Sequence, residues 1–218
     1  MKAVIILSGG MDSATLLAKM HHEGNVIQTL TFDYGSKHNE VEIAYAEKLA
    51  QHYSIPNQVI ELPFINELFK SDLLKSGGEI PKGHYKDKTM RSTVVPFRNG
   101  IMLSIAVGYA ESIGFETVGI GSHSGDHVIY PDCRSTFISW MRQAAIQGTY
   151  AKISIYAPFI QITKSHIVKI GDQLGVLYEK TWSCYKDGAV HCGKCGTCVE
   201  RKEAFKEAGV KDPTTYKE

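Results

Sequence analysis

A chain of 218 residues, 43% of them hydrophobic, can bury one full core, and its length argues against a second catalytic domain. The formal charge of +1 excludes the broad basic surface that extended nucleic-acid binding needs, so small molecules are the expected partners. No apolar run approaches the roughly 20 residues of a membrane span, and glycines and Asp12 interrupt the first run before a signal-peptide core forms; a cytoplasmic protein without a membrane partner is expected.

The first element, Ala3-Val4-Ile5-Ile6-Leu7, reads as a strand over 3–7. It feeds Ser8-Gly9-Gly10-Met11-Asp12-Ser13, after which Ser13 opens a helix over 13–22. Two glycines let the backbone turn tightly around an anion, and the free N–H groups of a helix start favour negative charge, so a nucleotide phosphate is expected here. A Walker loop would carry Lys where Asp12 stands, and the dinucleotide fingerprint would need a third glycine. The loop is neither.

A strand over 26–32 runs into Thr31-Phe32-Asp33-Tyr34-Gly35, which places Asp33 and Tyr34 at the carboxyl edge of the sheet beside the first loop. Nucleotide contact and strand-ending turn chemistry explain Asp33 equally well. A helix over 39–53 and a strand over 58–62 follow. The stretch 76–93, with Gly77, Gly78, Pro81 and Gly83 among charged residues, breaks the rhythm and reads as a long loop. Val95-Pro96-Phe97-Arg98-Asn99 then opens a helix over 99–113 with Asn99 as N-cap. Arg98 beside that start suits a carboxylate or phosphate, with a solvated surface Arg as the ordinary alternative.

A strand over 117–121, a helix over 135–147, a strand over 153–156 and a helix over 163–174 complete an alternation that implies an α/β fold, a parallel sheet with helices on both faces. Lys164 at the last helix start either reaches phosphates across the cleft or is solvated. Cys133, within Tyr130-Pro131-Asp132-Cys133-Arg134, is either a small buried filler or a thiol activated by Arg134.

Past 175 the alternation stops. In WSCYKDGAVHCGKCGTCVER, the thiolates of Cys184, Cys192, Cys195 and Cys198 can surround one tetrahedral ion and leave no open position. A structural Zn2+ is therefore expected, with an iron–sulfur cluster as the alternative and His191 outside the ligand set. A charged helix near 199–208 follows. The expected division is a nucleotide-binding domain over 1–175 and a zinc-binding subdomain over 176–218 packed on it.

Together, SGGMDS, TFDYG, VPFRN, YPDCR, TKSHI and the CxxCxxC tail resemble the 7-cyano-7-deazaguanine synthase family through nearly the whole chain. SGGMDS alone resembles only the wider pyrophosphatase-loop ATPase superfamily, with its adenine nucleotide alpha hydrolase-like fold. The resemblance implies a ligase forming carbon–nitrogen bonds, which converts 7-carboxy-7-deazaguanine and ammonia, with ATP, to a nitrile through adenylated acid and amide intermediates. That reaction belongs to queuosine and archaeosine precursor synthesis. The resemblance further implies that Leu7, Ser8, Gly9, Gly10, Met11, Asp12, Ser13, Ala14 and Asp33 hold ATP, with Asp12 also a Mg2+ ligand. Asp12, Lys164 and Arg98 would carry the catalysis. Arg98, Asp132 and Arg134 are expected at the deazapurine and its carboxylate, and the four cysteines at zinc.

The chain departs from the family pattern at Ser36-Lys37, where Gln-Arg is usual, and at Asp126-His127-Val128-Ile129, where a small-residue turn is commoner. No glutaminase domain is present, so ammonia is expected from solution or a partner. Two rival readings are a tRNA-modifying ATPase of the same superfamily with Cys133 as sulfur carrier, and a non-enzymatic nucleotide-sensing module built on the zinc tail. A homodimer is left open.

Overall fold

Strands β1 (Lys2–Ile6), β2 (Val26–Asp33), β3 (Asn57–Glu61), β4 (Thr117–Gly119) and β5 (Ser154–Tyr156) form one sheet in the order β3-β2-β1-β4-β5. Every pairing is parallel. The computed structural model describes residues 1–81, 88–186 and 188–217. Helices α1 (Met11–His22), α2 (Asn39–His52), α3 (Pro63–Leu68), α4 (Arg98–Ser112), α5 (Ser135–Gly148), α6 (Lys164–Gln173) and α7 (Gly196–Ala208) connect and cover the strands.

The central strand explains why both faces are covered. Successive side chains of β1 point to opposite faces, and all are apolar from Ala3 to Leu7. Val4 and Ile6 enter a core with Leu103, Ala106 and Ile138 of α4 and α5. Ala3, Ile5 and Leu7 enter another with Leu16 and Leu17 of α1, Leu49 of α2, Ile167 of α6 and Phe205 of α7. The sheet thus carries the two-sided helical cover expected of an adenine nucleotide alpha hydrolase-like fold. Among the described residues, no helix is long and apolar enough to cross a membrane.

Four local differences from the sequence reading have physical causes. Helix α1 begins at Met11 rather than Ser13, because Ser13 folds its hydroxyl back onto the Gly10 carbonyl at 3.1 Å instead of capping. Helix α4 begins at Arg98, with Phe97 left-handed at φ 54° as its cap residue, and the Asn99 N–H is bonded by Asp132 from another segment. Pro63 starts the short helix α3, as a fixed φ at a first helical position allows. Helix α7 begins at Gly196, directly from the cysteine segment. Within the expected 76–93 loop, Lys88–Thr93 form a 3-10 turn, and 82–87 lie outside the described residues.

Candidate active site

The chain runs outward from β1 to β2 and β3, then returns to place β4 on the other side of β1. The carboxyl ends of β1 and β4 therefore flank a crevice where strand order reverses, the place where open α/β sheets bind ligands. The loop after β1 fills one wall. Ser8 and Ser13 hydroxyls lie 3.2 Å apart, and Ser13 Oγ also accepts the Ser8 N–H at 3.2 Å. Two glycines close the wall. Gly9 sits at φ +77°, where a Cβ would lie 2.5 Å from the Glu42 carbonyl oxygen, and a Cβ on Gly121 after β4 would lie 3.0 Å from the Asp12 backbone.

Asp12 Oδ2 lies 3.4 Å from Lys164 Nζ and 3.9 Å from His123 Nε2. Its Oδ1 is buried and has no hydrogen-bond partner among the described residues. Lys164 also meets Glu200 Oε2 at 2.6 Å, and Asp126 Oδ1 stands 3.4 Å from His123 Nε2. Burial opposes the charge on Lys164, but Asp12, Glu200 and Asp126 outweigh it and hold its pKa above the ordinary value. The ammonium stays charged.

The opposite wall carries Tyr34, His38, Glu42, Arg98, Asn99, Cys133 and Tyr185. Arg98 Nη1 donates to the Tyr34 hydroxyl at 3.0 Å, and Tyr130 and Tyr185 hydroxyls meet at 2.9 Å. Burial pushes the Tyr34 and Tyr185 phenols up, partly offset by Arg98. Asn39 organises the turn before α2: its side-chain oxygen accepts the Tyr34 and Ser36 N–H groups at 3.1 and 3.2 Å, and its amide donates to the Phe32 carbonyl. Burial also raises the Cys133 thiol well above its ordinary pKa, while Asn99 Nδ2 donates to its sulfur at 3.0 Å. Cys133 therefore has the filler's environment rather than an activated one.

Of the residues expected to bind, Leu7, Ser8, Gly10, Met11, Asp12, Ser13, Arg98 and Lys164 line this single cavity. Gly9 and Ala14 belong to the loop and the helix behind it. Asp33, Asp132 and Arg134 do not line it. Asp33 Oδ1 accepts the Gly35 N–H at 3.1 Å, so turn chemistry accounts for it. Asp132 is buried and accepts the Asn99 N–H at 2.8 Å, which satisfies a free donor at the α4 start. Arg134 is exposed and donates to the His127 carbonyl at 3.1 Å. Sequence reasoning missed His38, Glu42 and Asp126 in the wall, although His38 and Glu42 stand four residues apart directly after TFDYG.

The cysteine segment forms the third wall. Cys184, Cys192, Cys195 and Cys198 bring their sulfurs within 4.8 Å of one another. Tetrahedral thiolate ligands with bonds of about 2.3 Å put sulfurs on the order of 3.8 Å apart. The Cys184–Cys195 separation is 3.9 Å, so the set fits one metal ion. His191 remains outside the set: its Nε2 accepts the Ser183 N–H at 3.0 Å, and its ring lies on Trp182 with centroids 4.1 Å apart. The Trp182 backbone N–H donates to the Gly9 carbonyl at 2.9 Å, and Trp182, Ser183 and Thr197 line the cavity. Arg201 of α7, fully buried, binds Thr181 Oγ1, Ser183 Oγ, the Tyr178 carbonyl and Asp212.

Comparison with known proteins agrees with this architecture. Solved structures similar in fold include a U34-tRNA thiolase, NcsA, from Methanococcus maripaludis with its 4Fe-4S cluster (TM-score 0.53, 13% identity, 95% of this chain and 67% of that one). Another is an NMN synthetase from Francisella tularensis (TM-score 0.51, 14% identity, 96% and 77%). At such identities they show the fold alone. Curated relatives are far nearer in sequence. The 7-cyano-7-deazaguanine synthase of Porphyromonas gingivalis is 52% identical over 98% of this chain and 96% of its own. That of Desulfotalea psychrophila is 52% identical over 98% of each. The family model described as queuosine biosynthesis protein QueC matches residues 2–209, and the chain belongs to the QueC family.

Proposed function

We propose that the chain catalyses the reaction its relatives are named for, the ATP-dependent conversion of 7-carboxy-7-deazaguanine and ammonia to 7-cyano-7-deazaguanine. The observation that carries this reading is that the serine–glycine loop, Lys164 and Arg98 all face one cavity. An acid and a nucleotide held there would meet.

A carboxylate is a poor electrophile until its oxygen becomes a leaving group. Attack of the substrate carboxylate on the α-phosphorus of ATP breaks the bond to pyrophosphate and yields an acyl-adenylate. Ammonia then displaces AMP and gives the amide with release of a proton. A second ATP adenylates the amide oxygen with release of pyrophosphate and one N–H proton, and elimination of AMP with the other N–H proton forms the nitrile.

In this reading Ser8, Gly9, Gly10 and Ser13 hold the pyrophosphate, with the α1 N–H groups and dipole favouring its charge. Lys164 carries the positive charge to the phosphates. Mg2+ would be held through Asp12, whose buried Oδ1 lacks a partner among the described residues, and would neutralise phosphate oxygens. Arg98 takes the substrate carboxylate, its guanidinium kept in place by Tyr34. Asp132 acts at one remove by fixing the α4 start that bears Arg98. The four cysteines hold one structural Zn2+, and residues 176–218 form a subdomain that closes the cavity of residues 1–175.

Incubation with 7-carboxy-7-deazaguanine, ATP and ammonium chloride, followed by mass spectrometry, should give the nitrile with AMP and pyrophosphate. Turnover stimulated by tRNA in place of the acid would replace this reading with that of a tRNA-modifying ATPase.

A further inference from the structure

Three carboxylates line the cavity, and two of them, Asp12 and Asp126, stand on the Lys164 side with His123 beside both. Glu42 lies elsewhere, in the first turns of α2, where its Oε1 is 3.4 Å from His38 Nε2. That imidazole is 2% exposed and stacks on Tyr185, with centroids 5.2 Å apart and planes 28° from parallel. Its Nδ1 is buried and has no hydrogen-bond partner among the described residues. Tyr34 stands on the same wall, its hydroxyl accepting from Arg98. One wall of the cavity therefore combines a guanidinium, a carboxylate and two phenol rings.

The acid of the proposed reaction has a matching distribution of groups. Its carboxylate sits on the five-membered ring, and its ring N–H and 2-amino group form a donor row at the far edge of the six-membered ring. A carboxylate accepts two parallel N–H bonds from such a row, and an apolar ring face suits aromatic side chains. We propose that Glu42, positioned by His38, reads the amino-pyrimidinone edge of the acid substrate while Arg98 takes its carboxylate. This assignment rests on the synthase reading above. Asp132 is already engaged by the Asn99 N–H, and Asp12 and Asp126 belong to the phosphate side.

The test compares kcat/KM for 7-carboxy-7-deazaguanine and for its analogue lacking the 2-amino group, at saturating ATP and ammonia. Wild-type protein should prefer the 2-amino substrate by about 100-fold or more, because the analogue leaves a Glu42 carboxylate oxygen unpaired. Glu42→Gln should lower kcat/KM for the 2-amino substrate by roughly 30-fold, mainly through KM, and narrow the preference to within about threefold. Its KM for ATP should match the wild type. Loss of stability alone would lower both substrates alike and leave their ratio unchanged, so an unchanged ratio in Glu42→Gln overturns the assignment. Equal use of both substrates by the wild type does the same. A wild-type protein that makes no nitrile from either acid would remove the synthase reading itself, and Glu42's role with it.

Discussion

The serine–glycine loop and the cysteine segment are joined by a backbone hydrogen bond, Trp182 to Gly9, yet they are built on opposite plans. Around the loop, polar atoms are left for a guest: Asp12 Oδ1 has no protein partner among the described residues, and Arg98 faces the cavity. In the cysteine segment they are used within the protein. Cys184 Sγ accepts N–H groups from Lys186 and Cys192, Cys192 Sγ accepts from Lys194 and Cys195, and Arg201 is wrapped by four neighbours. A buried arginine saturated by its own chain is structural; one with an open flank is available to substrate. The contrast separates two roles that residue type alone does not.

The sharpest way to break that contrast is Cys195→Ser. In the proposed four-thiolate site, removing one ligand unbalances a centre that contributes folding energy, so bound metal should be lost and Tm should fall on the order of 10 °C. Activity should fall too, because Trp182 and Glu200 both reach the loop side from this segment. Elemental analysis and a thermal melt check it, and iron with labile sulfide would replace zinc in the account. Asp12→Asn should do the reverse: ATP turnover should drop about 100-fold, as removal of a group acting on the transition state does, with metal content and Tm near wild type.

A smaller effect is expected at Asp212, which pairs with Arg201 and accepts from Tyr216. Burial raises its pKa, but the Tyr216 bond and the Arg201 charge outweigh burial and hold it below 3.8. A depressed carboxyl stabilises the fold above its unfolded pKa, and that contribution disappears as pH falls through the lower folded value. Asp212→Asn should therefore cost about 1 kcal/mol or less near pH 7 after solvent screening, with denaturation curves converging with wild type only below the ordinary carboxylate range. The smallest change should come from Asp132→Asn, which keeps an acceptor oxygen at the α4 start: KM for the acid should move less than about threefold. A much larger increase would place Asp132 on the substrate instead.

The legible parts of this molecule were those written in local pattern. The unbroken apolar run of β1 announced a strand covered on both faces, and two glycines flanked by serines announced a tight turn into a helix. Cysteine spacing announced the cluster of four sulfurs, because its members lie close in sequence. What stayed hidden depended on contacts between distant segments. Asp132 resembled a ligand-binding acid in its motif, yet the Asn99 N–H uses it. Nothing local marks Glu42, which α2 places on the cavity wall with its carboxylate 3.4 Å from His38. Phe97 at positive φ was similarly beyond reach, since no local rule favours a phenylalanine there.

The Trp182–Gly9 hydrogen bond also sets an order of assembly. The loop precedes the segment that closes over it and so leaves the ribosome first. A nascent chain can pair its sheet while the nucleotide crevice still lacks a wall, and contacts so distant in sequence form late because their closure is entropically costly. Should the four cysteines take up a metal ion, that capture would fix the cysteine-segment wall of the crevice after the loop has already folded.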